Sequence, residues 1–135
     1  MVGELGLALR FDPATGRFNA LQTPYEGSYF GLLTKPGLVL AYGLRGTAYR
    51  SLDGGQTWEA ADTGIATSIT AGQVMADGRL LLSSQAGDVL VSDDDGAHFR
   101  RLEMKSPMSY TGLAVSGDAV ILTGLRGVRV ERPQL

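Results

Sequence analysis

The segment Ser51-Leu52-Asp53-Gly54-Gly55-Gln56-Thr57-Trp58 decides the fold, because the chain repeats it. The shift that carries Ser51 onto Ser92 aligns it with Ser92-Asp93-Asp94-Asp95-Gly96-Ala97-His98-Phe99. This copy keeps the serine, the aspartate and the glycine, but has His98 in place of Thr57 and Phe99 in place of Trp58. A third site, from Phe11 to Phe18, keeps only a turn and an aromatic residue. Self-similarity at a fixed period indicates a repeat architecture.

A second signature has the same period. Gly43-Leu44-Arg45-Gly46 recurs as Gly124-Leu125-Arg126-Gly127, two repeats further along the chain. Each repeat of about 40 residues predicts four short strands separated by glycine-containing turns such as Asp77-Gly78 and Asp95-Gly96. In the best-preserved repeat the strands are expected at 68–75, 79–85, 88–93 and 98–104.

The second and fourth strands differ in polarity. Second strands are continuous apolar runs such as Leu80-Leu81-Leu82, which are typical of strands buried on both faces. Fourth strands are more polar, as in Phe99-Arg100-Arg101-Leu102-Glu103, and indicate an outer edge. No segment has a sustained helical period. The sequence therefore predicts an all-β fold, a β-propeller segment built from four-stranded antiparallel blades.

The strand count divides the chain into about three blade equivalents. Residues 1–24 supply the outer strands of a split blade, expected at 5–11 and 17–21, and residues 107–135 supply inner strands at 110–116, 119–123 and 127–131. The complete blades are 25–64, with the intact motif, and 65–106, with the degenerate one. A closed ring needs about four to eight blades. We therefore expect either a longer parent propeller or a homodimer that closes a six-bladed ring.

Composition excludes several classes of protein. The 135 residues include 19 glycines and no cysteine, so the chain has no disulfide framework, thiolate metal site or cysteine nucleophile. The 12 basic and 14 acidic residues give a net charge near −2, which provides no electrostatic footprint for nucleic acid. We expect neither a membrane span nor a signal peptide in this chain. None of these features identifies the compartment.

The repeated segment resembles the Asp-box, or bacterial neuraminidase repeat, whose pattern is Ser-x-Asp-x-Gly-x-Thr-Trp. All five positions are present as Ser51, Asp53, Gly55, Thr57 and Trp58, and the second copy retains Ser92, Asp94 and Gly96, with Phe99 at the aromatic position. With Gly-x-x-Gly before a third strand that ends in Arg-Ser, the chain looks most like the photosystem II stability and assembly factor-like family. Sialidases and sortilin-type receptors are more distantly similar.

The resemblance implies a function and a compartment. It implies a non-catalytic propeller that binds other proteins and assists a membrane-associated complex, with an extracytoplasmic or periplasmic location for a full-length parent. The motif itself is predicted to be structural, because an aspartate can accept bonds from the N–H groups of its own turn and glycine supplies a positive φ. The aromatic residue is expected to bury apolar area beside the hairpin.

We predict no catalytic residue, no metal and no cofactor. The only histidine, His98, has no accompanying nucleophile motif. Asp93-Asp94-Asp95-Gly96 suggests a calcium loop, but an EF-hand loop needs a glutamate at its twelfth position, which here is Met104. The Gly-x-x-Gly turns join strands, so they lack the helix N-terminus of a phosphate site.

Arginines are the candidate partner-binding residues. Arg45 and Arg126 occupy equivalent turns of two repeats, and Arg10 and Arg50 occupy equivalent third strands. Arginine recognises carboxylates with a planar fork, so these positions favour a patch for an acidic protein partner. The alternative is ordinary solvated charge on turns.

Two other functions remain open. The first is a fragment of a sialidase-like glycoside hydrolase, a class that uses a tyrosine nucleophile and an arginine cluster, and the second is a carbohydrate-binding propeller. The available tyrosines are Tyr25, Tyr29, Tyr42, Tyr49 and Tyr110. Three blades cannot supply a complete sialidase site, and we expect Tyr29 and Tyr110, at equivalent starts of first strands, to pack near the central channel.

Overall fold

The computed structural model describes residues 1–135 and consists of strands, turns and one short 3-10 turn at Leu44–Gly46. The strands are β1 (Leu9–Asp12), β2 (Arg17–Ala20), β3 (Tyr29–Lys35), β4 (Leu38–Gly43), β5 (Ala48–Ser51), β6 (Glu59–Ala60), β7 (Ile69–Val74), β8 (Leu80–Ser84), β9 (Val89–Ser92), β10 (Arg100–Leu102), β11 (Tyr110–Ser116), β12 (Ala119–Gly124) and β13 (Gly127–Glu131). No helix in the chain is long and apolar enough to span a membrane.

The strands form four antiparallel sheets in which neighbours follow chain order. We call them blade 1 (β1–β2), blade 2 (β3–β6), blade 3 (β7–β10) and blade 4 (β11–β13). The predicted all-β fold with antiparallel propeller blades is confirmed. Blades 2 and 3 have four strands, whereas blade 4 has three and blade 1 has two.

The same register recurs from blade to blade. Val39 pairs with Ser51 in blade 2, and Leu80 pairs with Ser92 in blade 3. The first strand of each larger blade also has a bulge at the same place, just after Tyr29, Ile69 and Tyr110. A bulge bends a strand and increases its twist, so its recurrence repeats the shape of the blade as well as its pairing.

Apolar side chains fill the space between blades. One cluster of nine buried residues joins blades 2 and 3, and a second cluster of nine joins blades 3 and 4. The second strands are buried as predicted: every residue of β8 is inaccessible or nearly so. The fourth strands β2 and β6 are exposed, whereas in β10 Leu102 is buried in the cluster between blades 3 and 4. The first strands β3, β7 and β11 lie side by side.

Several strand boundaries were predicted wrongly. The N-terminal third strand was expected at 5–11 but begins at Leu9, because Leu5 and Gly6 have positive φ angles of 54° and 71° and form a turn. The fourth strand of blade 3 was expected at 98–104 but is only Arg100–Leu102. His98 instead forms an isolated parallel bridge to Asp62, and Asp94 binds its backbone N–H and its ring.

The structure adds a detail to the two incomplete blades. Val2 forms an isolated antiparallel bridge to Ala8, so the first residues occupy the end of a second-strand position beside β1. If β1–β2 of one copy joined blade 4 of another, that blade would contain two third strands, β13 and β1. The six-bladed homodimer therefore remains a prediction, and ring closure would require one of these strands to move.

Candidate functional site

The loop Ser51–Trp58 between β5 and β6 is held by hydrogen bonds to its own aspartate and serine. Asp53 accepts bonds from the backbone N–H groups of Gln56 (3.0 Å) and Thr57 (2.8 Å) and from the Thr57 hydroxyl. The Ser51 hydroxyl donates to Asp53 and accepts from the Gly55 N–H, both at 2.8 Å. The Trp58 indole N–H donates to the Gly55 carbonyl at 3.0 Å.

The loop Ser92–Phe99 between β9 and β10 has the same arrangement with different side chains. Ser92 donates to Asp94 at 2.8 Å and accepts from the Gly96 N–H at 2.9 Å. Asp94 accepts from the His98 N–H at 3.0 Å, and the His98 ring Nδ1 lies 2.7 Å from Asp94 Oδ2. His98 thus substitutes for the threonine hydroxyl, while Phe99 packs against the core between blades 2 and 3.

Both aspartates are more acidic than usual. The Thr57 hydroxyl, the Thr57 N–H and the Ser51 hydroxyl together lower the pKa of Asp53 to about 2. Burial works in the opposite direction at Asp94, but hydrogen bonds from the His98 N–H, the His98 ring and Ser92 lower its pKa to about 2 as well. Both carboxylates are therefore ionised at neutral pH, and their oxygens are occupied by hydrogen bonds within their own loops.

Arg10 and Arg50 connect each blade to the loop of the next. Arg10 Nη1 donates to the carbonyl of Gly54 at 3.1 Å, and Arg50 Nη1 donates to the carbonyls of Asp94 and Asp95 at 3.1 and 3.3 Å. Arg50 also forms an ion pair with Glu59. These contacts were not predicted, although the equivalent positions of the two arginines were the available signal. Partner binding by Arg10 and Arg50 remains a prediction, and their guanidinium groups are occupied within the fold.

Arg45 and Arg126 lie at the opposite end of the blades from these loops. Gly43 pairs with Tyr29 and Gly124 pairs with Tyr110, so both arginine turns lie where the first strands begin. The first strands keep this alignment across blades, since the Thr70 hydroxyl donates to the Tyr110 carbonyl at 2.8 Å. In contrast, the two aspartate loops follow the ends of the third strands.

Neither arginine of these turns is engaged within the chain. Arg45 and Arg126 are exposed, and neither makes a side-chain hydrogen bond or an ion pair. Arg45 has a φ of 57° and lies in a tight turn closed by a hydrogen bond from the Thr47 N–H to the Leu44 carbonyl. Beside Arg126, Leu125 is 86% exposed. These turns are therefore free to contact another molecule.

Three of the five tyrosines, Tyr29, Tyr42 and Tyr110, are poorly suited to act as nucleophiles. Tyr29 and Tyr110 are buried at the starts of β3 and β11, and their hydroxyls have no hydrogen-bond partner. Burial raises the pKa of Tyr29, Tyr42 and Tyr110, whereas a phenolate nucleophile needs a lowered pKa. No three of the His, Asp and Glu side chains lie close enough together to hold a metal ion.

Comparison with known proteins supports the fold. No protein-family model matches the chain, and no curated protein matches it in sequence. A solved structure, "YCF48 bound to D1 peptide", matches with a TM-score of 0.61 at 13% identity, covering 97% of this chain and 48% of that chain. This chain therefore spans about half the length of that structure. The fold is similar to that of YCF48, a likeness that agrees with the predicted propeller.

Proposed function

We propose that the chain is a non-catalytic, protein-binding part of a propeller, and that its arginine turns capture an acidic segment of a partner. The observation that carries the proposal is the pair Arg45 and Arg126, exposed and unengaged at the same end of blades 2 and 4. Guanidinium groups without an internal partner are available for bidentate contacts with carboxylates.

Two further observations support the proposal. The similar structure of YCF48 contains a bound D1 peptide, so this architecture accommodates a polypeptide ligand. Burial raises the pKa of Tyr29, Tyr42 and Tyr110, which disfavours these three as the nucleophile of the sialidase-like alternative. An assembly or accessory role at a membrane-associated complex, outside the cytoplasm, follows from the family resemblance and completes the proposal.

The test measures binding of a fluorescent peptide of eight glutamates to the wild-type chain and to a double variant, Arg45→Ala with Arg126→Ala. We expect affinity to fall at least about tenfold, because two charge-assisted contacts are lost. The control double variant is Arg17→Ala with Arg100→Ala, which removes the same charge from two exposed arginines on outer strands.

The control and the stability of each variant separate the outcomes. Both double variants should unfold within about 0.5 kcal/mol of the wild type, because exposed side chains without partners contribute little. An equal loss of affinity in the control would show that net charge alone attracts the peptide, and would contradict the proposal. Unfolding caused by the turn substitutions would instead assign Arg45 and Arg126 a structural role.

A further inference from the structure

The residue at the bulge of the first strand differs among the larger blades. In blade 3, the Thr70 hydroxyl donates to the Ser83 carbonyl of its own blade at 3.3 Å and to the Tyr110 carbonyl of blade 4 at 2.8 Å. In blade 4, the Thr111 hydroxyl donates to the Thr123 carbonyl at 3.4 Å. The bulge residue of both blades therefore supplies a hydrogen bond to the fold.

Blade 2 has Phe30 at the same position. A phenyl ring cannot donate to a carbonyl of the second strand, and Phe30 is 51% exposed. Because half of its apolar surface stays in contact with water, this side chain stabilises the fold less than a buried aromatic residue would. Phe30 also belongs to neither buried cluster. The fold therefore gains little from Phe30, and half of the ring is free to contact a ligand.

The neighbours of Phe30 are strands of blades 2 and 3. Thr70 reaches from its own bulge to the first strand of the following blade, and β3 and β7 lie side by side as β7 and β11 do. The repeat therefore places Phe30 beside the start of β7. The innermost strands of a propeller surround its central channel, so the exposed surface of Phe30 lies at one mouth of this channel.

Phe30 and Arg45 lie at the same end of blade 2. Tyr29 pairs with Gly43, and Phe30 is one residue beyond the first of this pair whereas Arg45 is two residues beyond the second. Neighbouring strands are about 4.8 Å apart, so a ligand of a few residues can contact both side chains. Aromatic residues and arginine are enriched in protein interfaces, where they carry much of the binding energy.

The charges at this end of the blades direct an acidic ligand towards blade 3. Glu4 lies on the turn of blade 1 and Glu26 on the connection between blades 1 and 2, and both are exposed. Their equivalents one blade or two blades further along are Ala66, on the connection between blades 2 and 3, and Gln85, on the turn of blade 3. Neither carries a charge, so an acidic segment bound at Arg45 is repelled on the side of blade 1 only.

Asp88, which follows the turn of blade 3, is engaged within the fold. Its carboxylate accepts a bond from the Ser84 hydroxyl at 2.7 Å and forms an ion pair with Arg101 at 3.1 Å. Ala86 occupies the position of Arg45 in this turn, so the turn presents no free charge. An acidic segment that leaves Arg45 therefore meets no free carboxylate at the turn of blade 3.

We infer that the acidic segment of the partner also carries an aromatic side chain, which packs against Phe30 at the mouth of the channel. This inference rests on the proposed function and adds a second requirement to it. Carboxylates of the segment contact the arginine turns, and one ring contacts the exposed face of Phe30. Two aromatic rings in offset or edge-to-face contact gain more than the burial of the same apolar area alone. The partner class is an acidic segment that contains an aromatic residue.

Two peptides of equal charge test this requirement. Each contains seven glutamates and one central uncharged residue, which is phenylalanine in the first peptide and serine in the second. Both carry the same fluorescent label, and fluorescence anisotropy measures their affinities. We expect the wild-type chain to bind the phenylalanine peptide at least about fivefold more tightly, because only this peptide has a ring that can cover Phe30.

Phe30→Thr is the decisive variant, because blades 3 and 4 have threonine at the same position and the variant should therefore fold. We expect it to bind the two peptides equally, and to bind the serine peptide as tightly as the wild type does.

The matched control is Phe18→Thr. Phe18 lies on the outer strand β2 and is 52% exposed, so this variant removes an aromatic side chain of nearly the same exposure away from the channel. It should keep the full preference for the phenylalanine peptide. Urea unfolding of both variants accompanies the titrations, so that a loss of folding is not read as a loss of binding.

The double variant Arg45→Ala with Arg126→Ala separates this inference from the proposed function, because it should weaken both peptides by the same factor. Equal binding of the two peptides to the wild type, with a loss of affinity in the double variant, would refute the contact with Phe30 and leave the arginine turns as the acidic site. A phenylalanine preference that persists in Phe30→Thr would place the ring elsewhere and refute the inference as well. If neither peptide bound, the proposed function and this inference would both be wrong.

Discussion

The junction between blades 2 and 3 and the junction between blades 1 and 2 are built from the same repeated parts but differ in how they are filled. Each has an aspartate loop and an arginine that reaches it from the preceding blade, Arg50 in the first and Arg10 in the second. The first encloses nine buried residues, whereas the second leaves a cleft and exposes about half of Phe11 and Phe18. The loops therefore form without a filled core.

This difference separates local from tertiary causes of structure. The hydrogen bonds that the side-chain carboxylates of Asp53 and Asp94 accept all come from their own loops, so the conformation of each loop is set locally. The packing beneath the loop depends instead on a strand of the preceding blade, such as the one that carries Leu40. A repeat can therefore keep its turns in register even where its neighbour contributes little core.

The largest expected effect comes from removing the side chain that fills the closed junction. Leu40→Ala should lower the free energy of unfolding by about 2–5 kcal/mol, the usual cost of a cavity at a fully buried leucine. Leu32→Ala, at the wall of the open cleft, should cost about 1 kcal/mol, because its side chain is already half-buried beside empty space. Urea denaturation of both variants measures the difference.

Equal losses of unfolding free energy in Leu40→Ala and Leu32→Ala would contradict the contrast between the two junctions. Val39→Ala serves as the control for strand position, because Val39 neighbours Leu40 on β4 but faces the cleft. Val39→Ala should lose about as much unfolding free energy as Leu32→Ala. A loss as large as that of Leu40→Ala would show that the cleft is filled in solution.

The next effect compares the two loop glycines. A Cβ at Gly96 would lie 2.7 Å from Leu40, and a Cβ at Gly55 would lie 2.6 Å from Leu21. Both glycines have positive φ, 77° and 92°, so alanine adds about 1 kcal/mol of backbone strain at either position. Leu40 is fixed in the core, whereas Leu21 borders the cleft and can move away.

Gly96→Ala should therefore destabilise by about 2–4 kcal/mol and Gly55→Ala by about 1–2 kcal/mol. Differential scanning calorimetry of the two variants measures the difference in their stability. Similar melting temperatures for the two variants would mean that Leu21 is held as firmly as Leu40. The open junction would then be as rigid as the closed one.

Most of the fold was predictable because its sequence signals are local and repeated. Apolar runs such as Leu80-Leu81-Leu82 identified the buried second strands, and turn glycines separated the strands. Predicted strand boundaries were wrong where the local backbone conformation departed from what the residue pattern indicated. Leu5 adopts the turn conformation that Arg45 adopts in the next repeat, and His98 pairs with Asp62 and binds Asp94 rather than extending β10.

The contacts between blades were not predictable in the same way. Lys35 reaches the Gly78 carbonyl and Asp95, both distant along the chain, and only the assembled sheets bring these groups together. Arg10 and Arg50 looked like surface charges because nothing in the sequence indicates the carbonyls they face. The equivalent turns of Arg45 and Arg126, in contrast, were recognisable from the repeat alone, because these side chains have no partner in another blade.

The smallest expected effect distinguishes the two loops by their response to acid. A pKa of about 2 in the folded state lies below the usual 3.8, so ionised Asp53 and Asp94 stabilise the protein above about pH 4. This stabilisation should be lost as the pH falls towards 2. Asp53→Asn and Asp94→Asn should each reduce the fall in melting temperature between pH 4 and 2. Some fall should remain in both variants, because the pKa values of Asp12 and Asp77 are also lowered.

Added salt should distinguish the contributions of Asp53 and Asp94 to stability, because the two aspartates have different partners. Asp53 is held by hydroxyl and backbone N–H groups, whereas Asp94 also contacts the His98 ring, which forms an ion pair with it when protonated. Screening weakens an exposed charge pair, so added sodium chloride should reduce the contribution of Asp94 and leave that of Asp53 nearly unchanged. His98→Thr, which gives the second loop the side chain of the first, should abolish the salt dependence. A salt response that persists in His98→Thr would show that the hydrogen bonds of the loop, rather than the histidine charge, are sensitive to ionic strength.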